Sequence, residues 1–174
     1  MKRIILLGFF LVLHASVLSQ NQSAQGSTMN IGLGIGIDYG GFGGRFTYLP
    51  VERVGLFAGL GYNLIGAGYN IGAMYRFMPS KRVCPTFGAM FGYNGVIKVE
   101  NASEYDQAYY GVSISGGVEF RLRNNKNYIN LELIIPFRSQ EFQDDVDALK
   151  DNPSIEFKNE PIPVAFSVGY HFGF

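Results

Sequence analysis

The sequence predicts an all-β protein, an eight-stranded antiparallel up-and-down β-barrel that crosses a membrane. Three observations support this fold class. Eight stretches of sequence alternate between apolar and polar residues, the connections between them alternate in character between short turns and longer loops, and the proportion of charged residues is low. Charged residues make up 16% of the 174 residues, which include 11 Tyr and 15 Phe. Soluble domains average about 25% charged residues, whereas a barrel in lipid needs an apolar outer surface.

The beginning of the chain predicts a secretory signal peptide. A basic pair precedes an apolar run over residues 4–13, and this run is too short to cross ~30 Å of hydrocarbon as a helix. Cleavage is expected after Ser19. The expected divisions are 1–19 for the signal peptide, 20–28 for a polar lead and 29–174 for the barrel domain. Without Lys2 and Arg3, 12 basic and 14 acidic residues remain, and nothing in this balance suggests a nucleic-acid partner.

Eight stretches alternate with the period of two that is typical of a β-strand. In each, one set of alternate residues is mostly apolar or aromatic and the other is mostly small or polar. The predicted strands span residues 29–39, 42–48, 54–64, 68–77, 84–99, 108–122, 128–137 and 162–174.

The first predicted strand alternates aliphatic residues with glycine. Its predicted outward residues are Ile31, Leu33, Ile35 and Ile37, and Asp38 is predicted to face inward. The glycines have the spacing G-x-G-x-G, but a dinucleotide-binding fingerprint needs a turn and a helix directly after the strand. Here the Gly40-Gly41 pair predicts a tight turn into a second strand instead.

The next six strands follow the same rule, each running opposite to the one before. Predicted outward residues include Phe46, Leu60, Ile71, Phe91, Val112 and Leu133. Charged residues on the predicted inward faces are Arg45, Arg76, Glu119, Arg121 and Glu132.

The connections differ in length according to their position. Those around Pro50, Pro79 and Asn125 are short, and those around Tyr105 and Val146 are longer. Since outer-membrane barrels have short periplasmic turns and longer external loops, both chain termini are expected in the periplasm. Backbone groups in hydrocarbon cannot bond to water, so the first strand is expected to pair with the last.

Aromatic residues near the strand ends predict one girdle at each membrane interface. The periplasmic girdle would consist of Tyr48, Phe77, Phe120, Tyr128 and Phe172. The outer girdle would consist of Tyr39, Tyr62, Tyr69, Tyr93, Tyr110 and Phe137.

The last thirteen residues, IPVAFSVGYHFGF, alternate aromatic with small or polar residues up to the terminal Phe174. This stretch resembles the closing strand of small bacterial outer-membrane barrels of the OmpA/OmpX-like, porin-like family, and the resemblance covers the chain after the signal peptide. It implies a monomer in the Gram-negative outer membrane, with its lipid as partner. It also implies that the barrel assembly machinery recognises Tyr170, Phe172 and Phe174.

The charges on the inward face are expected to pair, because the interior of an eight-stranded barrel is just wide enough for its side chains. Asp38 and Arg45 belong to this set. We expect one hydrogen-bonded cluster that plugs the barrel, with His171 and Asn130 beside it. Its members would be Arg76, Glu119, Arg121 and Glu132. Small water pockets are expected near the inward Gly34, Gly59 and Gly92.

Residues that could carry chemistry have simpler structural interpretations. His171 is expected to form hydrogen bonds in the lumen, since Ser167 lies four residues along the same strand, too far for direct contact. Cys84 is interpreted as a packing residue at the start of a strand. The acidic loop over residues 138–160 lacks the glycine and distal Glu of a calcium loop, and it predicts a solvated turn or a short helix over 144–151. We expect this loop to be external, mobile and protease-sensitive.

These patterns favour a structural or surface-interaction barrel with a plugged lumen and no cofactor, metal or enzymatic activity. A narrow channel for small solutes is the alternative. A soluble lipocalin-like carrier and a barrel enzyme are less well supported, because the glycine-rich face holds few charges for contact with water. The sequence names no external partner.

Overall fold

The computed structural model describes residues 27–98, 106–123, 126–150 and 162–174. These residues form a closed barrel of eight strands in which each strand is antiparallel to its neighbours and β1 pairs with β8. The predicted architecture is therefore confirmed. The predicted signal peptide and most of the polar lead lie outside the described residues.

The strands begin and end close to their predicted limits. The bounds differ by three residues at the ends of β1 and β2 and at the start of β8, and by two or fewer elsewhere. The elements in chain order are β1 (Met29–Gly36), a 3-10 turn (Ile37–Tyr39), β2 (Gly41–Val51), β3 (Val54–Tyr62), β4 (Ala67–Arg76), β5 (Val83–Ile97), β6 (Gln107–Arg121), β7 (Tyr128–Pro136), α1 (Gln140–Lys150) and β8 (Ala165–Gly173).

Strand register places the apolar residues together on the outside of the barrel. Ile35 lies opposite Phe42 on β2 and opposite Val168 on β8. All three side chains are exposed on the outer surface, and the exposed fraction of Phe42 is 69%. Since successive side chains of a strand point to opposite faces, the alternate residues of the same strands point into the barrel. Arg45 on β2 and Ser167 on β8 are examples, and both are buried.

The chain turns into the barrel after Gly36, and we call residues Ile37–Tyr39 the inner turn. Gly36 (φ 150°) and Gly40 (φ 72°) have positive φ angles that side-chain-bearing residues rarely adopt. Tyr39 is fully buried. The predictions that the first strand continues through Tyr39, that Ile37 faces lipid and that Tyr39 joins the outer girdle are therefore wrong.

Inward glycines leave room for the inner turn. A Cβ at Gly34 would lie 2.6 Å from the Tyr39 ring, and one at Gly59 would collide with the backbone oxygen of Asp38. A Cβ at Gly92 would lie 2.5 Å from Asn70 Oδ1. The predicted water pockets near these glycines are wrong, because neighbouring chain fills the space.

Two further aromatic residues differ from their predicted place in a girdle. Tyr93 is buried beside a register shift between Tyr93 and Gly95 on β5, where the regular alternation is interrupted. Tyr128 points inward and stacks on His171, with ring centroids 4.5 Å apart. The remaining predicted girdle residues are exposed on the outer surface: Tyr48, Tyr62, Tyr69, Phe77, Tyr110, Phe120, Phe137 and Phe172.

The hairpin of β5 and β6 extends beyond the other strands, and α1 packs against it. Phe142, Val146 and Leu149 are buried in one cluster with Ile97 and Tyr109. The predicted acidic segment is thus a helix that begins at residue 140, and its apolar face is not solvated. Residues 151–161 lie outside the described parts of the chain. Within those parts, no helix has the length and apolar character required to cross a membrane.

The two ends of the barrel differ, and we name them by their connections. The turn end holds the connections β2–β3, β4–β5 and β6–β7, together with the start of β1 and the end of β8. The loop end holds the extended β5–β6 hairpin and α1.

Candidate functional site: the polar interior of the barrel

A buried arginine joins the inner turn to the barrel wall. Arg45, on β2, donates from Nη1 to Asp38 Oδ2 at 2.5 Å and to Glu132 Oε1 at 2.8 Å. Its guanidinium carbon lies 4.5 Å from the centre of the Phe57 ring, a geometry that favours a cation–π interaction. We call Asp38, Arg45 and Glu132 the Arg45 group.

The Arg45 group is completed by neutral side chains of β7 and β8. The register of these strands places Glu132 opposite Ser167, and Ser167 Oγ donates to the second carboxylate oxygen of Asp38. Asn130 Nδ2 donates to Glu132 Oε1 at 3.1 Å. Both carboxylates thus receive hydrogen bonds in addition to the ion pairs, as buried charges require.

Tyr39 extends this network toward the turn end. Its hydroxyl lies 2.8 Å from Asn130 Oδ1 and 2.6 Å from His171 Nε2. The His171 ring stacks on Tyr128 at an interplanar angle of 5°. Asn70 Nδ2 donates to the carbonyl oxygen of Ile37 at 2.6 Å and so anchors the backbone of the inner turn.

A second ion pair lies closer to the turn end. Arg76, on β4, donates from Nε (3.0 Å) and Nη2 (2.7 Å) to Glu119 Oε2 on β6. A third hydrogen bond runs from Arg76 Nη1 to the carbonyl oxygen of Glu52 at 3.1 Å. We call Arg76 and Glu119 the Arg76 pair.

The expected single cluster is therefore divided. Glu132 pairs with Arg45 instead of joining Arg76, and the inner turn carries Asp38 to the same Arg45 nitrogen. Arg121 is half-buried at the turn end, and it forms no ion pair among the described residues. His171 and Asn130 lie beside the Arg45 group, joined to it through hydrogen bonds.

A small recess opens beside the Arg76 pair at the turn end. Its volume is about 10 Å³, enough for about one water molecule. The side chains that line it are mostly hydrogen-bond donors: Ser27, Asn30, Leu49, Arg76, Arg121, Lys126 and Tyr128. A water would satisfy Asn30 Nδ2, which is buried without a partner in the described structure.

The arrangement around His171 does not resemble a hydrolytic site. A nucleophile has to lie within hydrogen-bond reach of its base, and Ser167 Oγ is bonded to Asp38 instead. Cys84 is fully buried at the start of β5. In residues 27–98, 106–123, 126–150 and 162–174, no three His, Cys, Asp or Glu side chains are grouped so that they could hold a metal ion.

The three aromatic residues of the closing strand lie near the seam of the barrel. Tyr170 and Phe172 are in contact, with ring centroids 4.7 Å apart, and the Tyr170 hydroxyl accepts a hydrogen bond from Asn127 at 3.0 Å. The Phe174 backbone nitrogen donates to the Met29 carbonyl oxygen at 3.0 Å. Phe172 and Phe174 are exposed on the outer surface.

Sequence reasoning missed Tyr39, Tyr128 and Ser167 as contributors to this interior. The sequence predicts Tyr39 in the outer girdle because the alternation continues without a break through residue 39. The signal against this is the pair of glycines directly after Tyr39, which permits a sharper turn than an ordinary hairpin. Tyr128 stacks on His171 instead of joining the periplasmic girdle. The sequence places Ser167 on the inward face, but it does not identify Asp38 as its partner.

Comparison with known proteins identifies the fold. No family model matches the chain, and no curated protein matches it. Among solved structures, it is similar to the crystal structure of the N-terminal β-barrel domain of Pseudomonas aeruginosa OprF, with a TM-score of 0.53. The chain has the fold of that barrel domain. The two are 15% identical, and the match covers 84% of this chain and 96% of the OprF domain, so the fold resemblance expected from the terminal strand is confirmed.

Proposed function

We propose that this chain is an integral β-barrel protein of the bacterial outer membrane with a closed lumen, and that it acts as a structural or surface-interaction protein. The observation that carries the proposal is the apolar outer wall. Every strand exposes large apolar side chains, among them Leu33, Phe46, Leu60, Ile71, Phe91, Val112, Leu133 and Val168. Soluble monomers rarely expose an apolar surface of this extent, whereas a membrane barrel requires it.

The orientation follows from the two ends. Barrels of this kind place short turns in the periplasm and longer connections outside, so the turn end is periplasmic and the loop end is external. The β5–β6 hairpin and α1 then form the surface available to an external partner. Export proceeds through the cleaved signal peptide, and the barrel assembly machinery recognises Tyr170, Phe172 and Phe174.

The interior supports a closed lumen. An eight-stranded barrel has little free space inside, and here the inner turn occupies part of it. Tyr39 and Arg45 are fully buried among residues of the opposite wall. The Arg45 group ties the inner turn to both β2 and β7, so opening a path would require breaking buried ion pairs.

Membrane integration is tested by fractionation and by substitutions on the two faces of β8. The protein should remain in the outer membrane in carbonate and shift on gels after boiling. Val168→Arg places a charge on the lipid face, at a cost of ~2–4 kcal/mol near mid-membrane, and should impair folding into liposomes more than Ser167→Ala does, which on the inward face removes only one hydroxyl and its hydrogen bond to Asp38. Release by carbonate would favour the soluble carrier, and equal effects of the two substitutions would contradict the assignment of faces.

The closed lumen is tested separately in planar bilayers. Refolded wild-type protein should show no steady conductance, and Glu132→Ala should introduce conductance because it releases Arg45 from the β7 wall. Long-lived conductance in the wild type would refute the closed lumen and support the channel for small solutes.

A further inference from the structure

Charged side chains are distributed unevenly between the two ends of the barrel. In the described residues, the turns at the turn end expose five cations: Arg53, Lys81, Arg82, Arg123 and Lys126. Half-buried Arg121 adds a sixth, and Glu52 is the acidic side chain in these turns. The described loop end instead carries Asp106, Glu141, Asp144, Asp145 and Asp147 against Lys98, Arg138 and Lys150.

The cations of the turn end stand next to the lipid-facing wall. Arg53 Nη1 donates to the Tyr75 hydroxyl at 3.2 Å, and the exposed Tyr75 ring packs edge-on against Phe77 at 5.1 Å. These aromatic rings belong to the outer surface at the level where girdles meet lipid headgroups. The Arg53 guanidinium is therefore held at the outer rim and not over the barrel axis.

Backbone hydrogen bonds define the positions of the neighbouring turns. In the β4–β5 turn, Lys81 N donates to Met78 O at 3.0 Å, and Arg82 O accepts from Arg121 N at 2.8 Å. In the β6–β7 turn, Leu122 N donates to Asn127 O at 2.9 Å. All three turns at this end carry cations, so the positive charge is spread around the rim.

We propose that this basic rim binds the headgroups of anionic phospholipids in the membrane leaflet at the turn end. The proposal rests on the membrane location proposed above. A positive charge spread around a rim, continuous with an apolar wall, is complementary to a layer of negatively charged headgroups around the barrel. Basic residues at a membrane surface attract anionic lipid, and this attraction declines within a Debye length of about 8 Å at physiological salt.

The test measures which lipids surround the reconstituted full-length barrel. Spin-labelled phosphatidylglycerol and phosphatidylcholine are introduced in turn, and electron spin resonance gives the immobilised fraction of each. Wild type should immobilise phosphatidylglycerol at least about 3-fold more strongly at low salt, since one cation at an anionic surface contributes up to about 5-fold in association. The preference should fall toward 1-fold in 1 M salt.

Two double variants with the same change in charge locate the effect. Lys81→Gln with Arg82→Gln should reduce the preference for phosphatidylglycerol. Lys98→Gln with Lys150→Gln, at the loop end, should leave it unchanged. All four side chains are exposed, and the gel shift on boiling verifies that each variant is folded.

Several outcomes would overturn the proposal. Equal immobilisation of both lipids by a folded, integrated wild type would refute it while leaving the membrane location intact, and failure to integrate would refute both. Loss of the preference only in the loop-end variant would also refute it. Binding to purified cell-wall sacculi that is lost in the turn-end variant, without any change in lipid preference, would assign the rim to the cell wall instead.

Discussion

Replacement of Arg45 by methionine tests whether the Arg45 group stabilises the barrel as an ion-paired unit. Methionine retains an unbranched apolar side chain but removes the guanidinium. Asp38 and Glu132 would then remain inside the barrel without their cation. Both carboxylates are buried, and both contact the same nitrogen, Arg45 Nη1.

The expected cost follows from this geometry. Because the two carboxylate oxygens lie 2.5 and 2.8 Å from one nitrogen, they are at most about 5.3 Å apart. At an effective dielectric constant of about 20, two unit charges at that separation repel by about 3 kcal/mol. Breaking a buried ion pair by removing one partner typically costs ~3–5 kcal/mol, so Arg45→Met should lower the free energy of unfolding by that amount.

The assay is urea unfolding of protein refolded into liposomes, followed by the gel shift between the folded and unfolded forms. A triple variant is the matched control: Arg45→Met, Asp38→Asn and Glu132→Gln. It removes every charge of the Arg45 group, so no carboxylate is left buried without its cation, which is the main cost of removing one partner alone. The triple variant should therefore recover most of the stability lost in the single variant.

Two results would refute this account. A loss below ~1 kcal/mol in Arg45→Met would mean that the carboxylates are not confined as described. A triple variant as unstable as the single one would mean that packing of the arginine side chain, and not its charge, provides the stability.

Two further predictions concern the inner turn and α1. Gly59→Ala should destabilise the barrel by ~1–3 kcal/mol in the same urea assay, as overpacking does, because the new methyl group would collide with the Asp38 backbone oxygen. Gly116→Ala is the control and should be nearly neutral, because its methyl group meets open space. Equal effects of the two substitutions would contradict the position of the inner turn. Phe142→Ala should accelerate protease cleavage within α1 by about 10-fold or more, since it removes a buried side chain that anchors the helix. Substitution of the exposed neighbour, Gln143→Ala, is the control. Unchanged cleavage in Phe142→Ala would show that α1 is not held by this cluster.

The strands could be predicted from the sequence because each strand has one face on the apolar outer surface of the barrel and the other face in its polar interior. In β7, for example, Leu131, Leu133 and Ile135 alternate with Asn130 and Glu132, and the structure places the first set outside and the second inside. One residue of slippage would exchange the two sets, so the pattern alone defines which side chains face the interior. Eight such strands, together with the requirement that no edge stays unpaired, imply closure.

The inner turn could not be predicted in this way. Ile37, Asp38 and Tyr39 continue the alternation of β1 and are compatible with an outward, inward, outward strand. Their actual position depends on the space left by glycines on distant strands, such as Gly59 on β3. The residues adjacent to the inner turn in the sequence contain no information about the space that these distant glycines leave.

The sequence by itself determined the eight strands, the face that most of their side chains occupy and the charges that enter the interior, because alternation is a local property of the chain. The tertiary structure alone decided which of those charges meet. Pairing of the charges depends on the height of each side chain along the barrel axis. Strand register around the closed sheet sets that height; for example, it places Glu132 opposite Ser167. Closure of the sheet in this register therefore brings Glu132 to Arg45 and Glu119 to Arg76, and the inward path of the chain after Gly36 adds Asp38 to the first of these pairs.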